Sequence, residues 1–192
     1  MPGQFLMNGT IMRKRFPTDN NPRLINSFYT EDVLKVAPGL LGKYLSVRQN
    51  DGTVLRYMIT ETEAYRGSDD KACHASKGET ARNRVMFGRG GLVYVYFIYG
   101  MYWMLNVVTG KEQDPQAVLI RGVEGFAGPG KLTRALRIDG SFYGEDLVSS
   151  DRIWIEEGLK NFRFRSLPRV GIDYAGEPWI SMPWRFVIDR KD

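Results

Sequence analysis

The sequence predicts an α+β protein: a single domain on a curved, mostly antiparallel β-sheet, with short surrounding helices and one protruding β-hairpin. Three observations lead there. Runs rich in β-branched and aromatic residues recur along the chain, most densely in GLVYVYFIYGMYWMLNVVTG. Helical patterns are few and short. Turn signals, NDG and YGM, join neighbouring strand-like runs as hairpins. The 192 residues suffice for one well-filled core, and no linker, repeat or low-complexity segment divides them.

The elements follow in order. Residues 1–24, rich in Pro, Asn and Arg, read as a flexible arm ahead of a domain at 25–192. They carry no apolar h-region or small-residue cleavage site, so no secretory signal is expected. SFYTEDVLKVAPG is a short helix capped by Ser27 or Thr30, with Glu31 and Asp32 in its first turn and a break at Pro38-Gly39. KYLSVRQ and VLRYMITETEAY are strands joined by NDG. SDDKACHASKG reads as one or two helical turns, with Ser68 as cap, Asp69 and Asp70 at the positive end and Gly78 as stop. The aromatic stretch forms two strands turning at Tyr99-Gly100-Met101, and AVLIRGVE is a further strand. GPGKLTRALRID is a short helix started by Pro129 and Gly130, with Leu132, Ala135 and Leu136 inward. RIWIEEG, RFRSLPRVGIDY and PWRFVID alternate like additional strands.

Composition narrows the function. With 43% hydrophobic and 26% charged residues the chain is a globular protein. No apolar run approaches the roughly 20 residues of a membrane helix. The single cysteine, Cys73, excludes an internal disulfide and argues against a structural zinc site; a reducing intracellular compartment fits. A net charge of +5 attracts polyanions such as nucleic acid, nucleotides or an anionic membrane.

The chemistry concentrates in ETEAYRGSDDKACHA, residues 61–75. On a strand, Ile59, Glu61, Glu63 and Tyr65 share one face and Met58, Thr60, Thr62 and Ala64 the other. The two glutamates then lie roughly 7 Å apart. Buried together, one would have its pKa raised unless a cation or donors intervened. The plain reading is an exposed edge strand with both carboxylates in water. The chemical reading is a strand-end general base ahead of a functional loop holding His74, the only histidine. A metal held by Glu61, Glu63, Asp69, Asp70 and His74 is a third option, although Asp69 and Asp70 already have a helix-start role. GFAGPGKLT approaches a phosphate-binding loop, but Leu132 stands where the magnesium-binding hydroxyl belongs. In the hairpin most aromatics pack on the sheet, yet Tyr99, beside the turn glycine, should project from the tip and could wedge between base pairs. Arg82, Arg84 and Arg89, with Lys131, Arg134 and Arg137, could hold phosphates, or could simply face solvent.

Taken together, ETEAY, the nine-residue spacing from Tyr65 to His74, RNRVMF, LVYVYFIYGMYWMLNV, AVLIRGVE, GPGKL and RVGIDYAGEPW resemble the alkyladenine (3-methyladenine) DNA glycosylase family, from about Phe28 to Trp184. The resemblance implies a single mixed domain that binds duplex DNA from the minor groove, flips out a damaged purine and hydrolyses its N-glycosidic bond with an activated water. It implies Glu63 as the catalytic glutamate and Arg121 as an arginine holding the water and the backbone. It implies Tyr65 and Tyr96 as the walls of the base pocket, His74 as a pocket contact, and Asn106 as the guard against the amino group of normal guanine. Tyr99 then fills the gap left by the flipped nucleotide. Tyr102, Arg82, Arg84 and Lys131 are the further DNA-binding candidates. Arg66, Ser68, Cys73 and Trp103 stand at positions that look variable in the family, which bears on lesion preference rather than on the reaction.

The expectation is thus a monofunctional glycosylase of base excision repair acting on double-stranded DNA that contains damaged purines: 3-methyladenine, 7-methylguanine and also hypoxanthine. It needs no cofactor, metal, membrane or obligate protein partner, and acts as a monomer in the cytoplasm on chromosomal DNA. The alternatives are a non-catalytic nucleic-acid-binding module with the same surface, which gives Glu63 no task, and a metal-dependent hydrolase. Glu61 carries no assignment beyond an arginine partner that the sequence does not identify.

Overall fold

The computed structural model describes residues 21–189. Most of the expected arm, residues 1–20, lies outside them; residues 21–24 pack on the domain, with the Leu24 amide donating to Ile155. Two short helices, α1 (Asn26–Tyr29) and α2 (Val33–Gly39), lead into β1 (Tyr44–Arg48) and the long β2 (Val54–Arg66). The aromatic hairpin is β3 (Val93–Ile98) and β4 (Tyr102–Thr109). Then come β5 (Gln116–Val123), β6 (Phe126–Ala127), α3 (Pro129–Leu136), β7 (Ile153–Glu156), β8 (Phe164–Leu167) and β9 (Arg185–Ile188). All pairings are antiparallel. The sheet runs β3-β4-β5-β2-β1-β7, with β9 on β2 and β8 on β9. The expected α+β domain with a curled sheet and protruding hairpin is the fold observed.

Period-two alternation sorts the sheet into two faces. On one, Val93, Val95, Leu105, Val107, Val118, Ile120 and Ala64 join a core closed by Val36 and Ala37 of α2, by Leu40 just after it, and by Leu132 and Leu136 of α3. Each fully buried Leu or Val there contributes about 1.5–3 kcal/mol. The residues between them point the other way: Glu63 and Tyr65 on β2, Tyr94 and Tyr96 on β3, Met104 and Asn106 on β4, Ala117 and Leu119 on β5. The second face is therefore the wall of a cavity.

The alternation breaks once, at two paired bulges. Ile59 faces Val123, Glu61 faces Gly122 and Thr62 faces Ile120, so Thr60 is an extra residue on β2 and Arg121 an extra residue on β5. Bulges kink a strand and re-aim side chains. Here they turn Ile59 into the main core, away from the face of Glu61 and Glu63 on which alternation placed it. Gly122 fits the crowded point, where a Cβ would meet Glu61 and Thr60 at 3.2 Å.

Three local expectations are corrected. The cap of α2 is Asp32, whose carboxylate accepts the Leu34 amide at 2.8 Å, rather than Ser27 or Thr30; Thr30 instead ends α1 as its C-cap. The 68–78 segment holds only a 3₁₀ turn, His74–Lys77. Asp70 is not a helix start: its carboxylate bends the loop by accepting the Arg66 and Ala72 amides. On α3 it is Thr133 that is buried beside Leu132 and Leu136, its hydroxyl donating to Trp103 O at 3.0 Å, while Ala135 is half-buried.

Candidate active site

The cavity on the second face has a volume of about 520 Å³ and is lined mainly by aromatic and aliphatic side chains, with few polar groups. Glu63 lies in its wall and is fully buried (0% exposed). One carboxylate oxygen accepts the Val170 amide at 2.9 Å and the other the Tyr65 hydroxyl at 3.0 Å. The Arg121 guanidinium is 3.6 Å away, but its shorter contact is with Glu61 at 2.9 Å. Burial raises the Glu63 pKa above its ordinary value, outweighing Arg121, Val170 and Tyr65, while Glu61 adds a smaller upward push. A carboxylate so held is more basic than one in water, which suits proton abstraction from water.

Glu61 has the arginine partner that the sequence left unnamed, and in fact two: Arg121 at 2.9 Å and Arg185 of β9 at 3.0 Å. These pairs leave neither Glu61 nor Glu63 as a solvated edge residue. The five residues of the metal option do not converge. Asp70 is taken by Arg169 and Asp69 is exposed. Among the described residues no group of three or more His, Cys, Asp or Glu is arranged to hold a metal ion.

The structure brings Glu63, Arg121, Tyr65, His74, Tyr96, Asn106, Tyr99, Tyr102 and Lys131 to one cavity. His74 and Tyr96 touch edge to face, ring centroids 4.6 Å apart. His74 Nδ1 lies 2.8 Å from the Tyr94 hydroxyl. His74 is exposed overall, its ring open to the cavity with the Tyr94 and Tyr96 side chains against it. Partial burial, with Arg82 nearby, lowers its pKa to about 4, so the imidazole is neutral. Asn106 is buried and its amide N–H groups go to Tyr94 O at 3.1 Å and Met104 O at 3.3 Å. The carbonyl oxygen is thus the acceptor left for the cavity.

Tyr99 is 83% exposed at the hairpin tip, with a left-handed backbone (φ 52°) in a turn closed by Met101 N–H donating to Ile98 O. Tyr102 is half-buried against α3, where a Cβ on Gly130 would stand 2.5 Å from its ring. Arg82 reaches Phe97 O at 3.4 Å and lies over the Tyr96 ring. Arg84 does not line the cavity; it pairs with Glu79 on the exposed surface at 3.2 Å.

Several groups at this site were not singled out in the sequence. Val170 contributes a backbone amide, which any residue but proline could supply, so no side chain announces it. Gly171, Ile172 and Tyr174 line the cavity beside it. Tyr94, read as sheet packing, holds His74. Their signals were the RVGIDYAGEPW and LVYVYFIYGMYWMLNV strings, matched without individual roles.

The model of the family Methylpurine-DNA glycosylase (MPG) matches residues 27–127 and 124–192. Among curated relatives, a protein of Methanocella arvoryzae is 46% identical over 185 residues, covering 86% of this chain and 92% of its own. One of Clostridium botulinum is 42% identical (88% and 96% covered), and one of Legionella pneumophila, strain Lens, is 46% identical (86% and 94%). All three bear the name "Putative 3-methyladenine DNA glycosylase". With matches that run through both the cavity-forming strands and the C-terminal loop, this chain belongs to the methylpurine-DNA glycosylase family.

Proposed function

We propose that this chain is a monofunctional DNA glycosylase that flips damaged purines out of duplex DNA and hydrolyses their N-glycosidic bond. Its substrates are 3-methyladenine, 7-methylguanine and also hypoxanthine. The observation that carries the reading is Glu63: a fully buried carboxylate of raised pKa in the wall of an aromatic cavity. Cleavage passes through an oxocarbenium-like state at the sugar carbon. Glu63 takes a proton from water as its oxygen bonds to that carbon, and its negative charge stabilises the cation as the base departs. Arg121, shared between Glu61 and Glu63, orients the carboxylate and the water.

Tyr65 and Tyr96 sandwich the flipped base. A methylated purine is cationic and leaves readily, so aromatic faces suffice to bind it. Hypoxanthine is neutral and needs hydrogen-bonding help. In the tautomer whose Nδ1 accepts from the Tyr94 hydroxyl, neutral His74 carries its proton on Nε2, where it is available to an acceptor on the base. Asn106 repels or admits purine edge groups according to their donor pattern. Flipping costs a few kcal/mol, and less for damaged bases; Tyr99 offsets part of it by stacking in the gap. Lys131, Arg82, Arg84 and Tyr102 hold the flanking DNA. The enzyme acts as a monomer, inside the cell, on chromosomal DNA.

The test is incubation with duplex DNA containing single defined lesions, followed by chromatography of the free bases. Release of 3-methyladenine in EDTA, with the strand left intact at neutral pH, is the expected result. No free base from any lesion would leave only a nucleic-acid-binding module.

A further inference from the structure

Of the ion pairs among the described residues, only Asp70–Arg169 has both side chains fully buried. It is bidentate, with one Arg169 nitrogen 2.9 Å from Asp70 Oδ1 and another on Oδ2. It lies behind the cavity wall, not in it, and it joins three segments. Arg169 donates to the carbonyl of Ala64, the residue between Glu63 and Tyr65, at 3.0 Å. Its guanidinium carbon is 4.8 Å from the Tyr65 ring centroid and 5.0 Å from that of Trp184. Asp70 also accepts the Arg66 and Ala72 amides, fixing the loop that delivers His74. The next residue after Arg169 is Val170, whose amide holds Glu63.

We infer that Asp70 and Arg169 are positioning residues of the catalytic site, a clamp that fixes the Val170 amide against Glu63 and the Tyr65 ring against the cavity. The inference rests on the proposed role of Glu63. A buried ion pair is poor support for stability alone, since apolar residues of similar volume often serve as well. What this pair provides is geometry: a planar fork allows little slack in the backbone it binds. The groups facing Glu63 are Arg121 from β5, Glu61 and Tyr65 from its own strand, Tyr96 from β3 and the Val170 amide, with Arg185 of β9 acting through Glu61. The Val170 hydrogen bond favours the charged carboxylate. Loosening it therefore raises the Glu63 pKa and moves the acid limb of the rate profile to higher pH.

The experiment measures single-turnover base release from methylated duplex DNA against pH, with lesion-duplex Kd and thermal melting alongside. The double variant Asp70→Asn/Arg169→Met removes both buried charges and keeps volume between the two rings; Arg169→Lys keeps the charge and loses the fork. Both should fold. They should release base about 10- to 100-fold more slowly, with Kd changed far less and the acid limb raised by about one pH unit. A folded double variant with wild-type rate and profile overturns the clamp, and so does failure of both variants to fold, which would assign the pair to the fold. Glu63→Gln, run in parallel, separates the two ideas: if it is fully active, the role of Glu63 fails; if it is inactive and the clamp variants are normal, only the clamp fails.

Discussion

Replacing Glu63 by glutamine should abolish catalysis without weakening the fold. The side chain keeps its shape. Gln Oε1 can still accept the Val170 amide, and the Tyr65 hydroxyl can rotate to accept from the new NH₂ group. What disappears is the negative charge and the basic oxygen. A positioned general base contributes about 10²- to 10⁴-fold, so single-turnover release should fall at least that far, with lesion-duplex binding retained. The stability effect has a definite sign. Burial raises the carboxyl pKa from its ordinary 4.5. Between 4.5 and the higher folded value the native state holds the extra proton, so wild-type stability falls as pH rises through that window and stays lower above it. Glutamine escapes this penalty: the variant should melt at or above the wild-type temperature at pH 7.5, and the gap should close near pH 4. Calorimetry at both pH values and chromatography of released base provide the readouts. A variant that keeps wild-type rates, or loses activity only because it melts early, refutes the reasoning.

Other outcomes follow from the same structure. Tyr99→Ala removes an exposed tip side chain, so denaturant midpoints should barely move; binding to lesion duplex should weaken about 10- to 100-fold, the worth of one stacked base, and binding to single strands much less. Equal losses on both would count against a wedge. His74→Gln should impair hypoxanthine release more than 3-methyladenine release, in a two-lesion competition assay. Because the folded pKa of His74 lies near 4 against an ordinary 6.5, the wild type loses stability as pH falls from 6.5 towards 4, and the variant should lack that component in a pH series of melts. Gly130→Ala places a Cβ 2.5 Å from the Tyr102 ring and should destabilise by about 1–3 kcal/mol in urea titration; an unchanged midpoint would mean that Tyr102 moves freely.

The strands and the tyrosine hairpin were legible because burial on alternate faces leaves a period of two in the sequence. Glu63 and Tyr65 were legible as a unit because they are two apart on one strand. The clamp was not: Asp70 and Arg169 are 99 residues apart, and Asp70 sits where a helix cap would also place an acid. The Glu63–Val170 bond was hidden for another reason, since an amide donor has no residue identity. Ile59 was assigned the wrong face because a bulge adds a residue without changing the composition of the run. The Glu61 partners likewise became visible only once β5, carrying Arg121, and β9, carrying Arg185 from the far end of the chain, were laid against β2.

Those bulges behave like a frameshift and its suppressor. Pairing before them (Ile59 with Val123) and after them (Thr62 with Ile120) is in the same frame, because Thr60 on one strand and Arg121 on the other cancel. Deleting Thr60 alone would leave Arg121 without its counterpart and shift β2 by one residue against β5 across this point. Shortening both strands by one residue would restore a regular sheet that has lost Arg121 from the cavity wall. An insertion or deletion in β2 is therefore tolerable only with a matching change in β5, and the two strands should vary in length together or not at all.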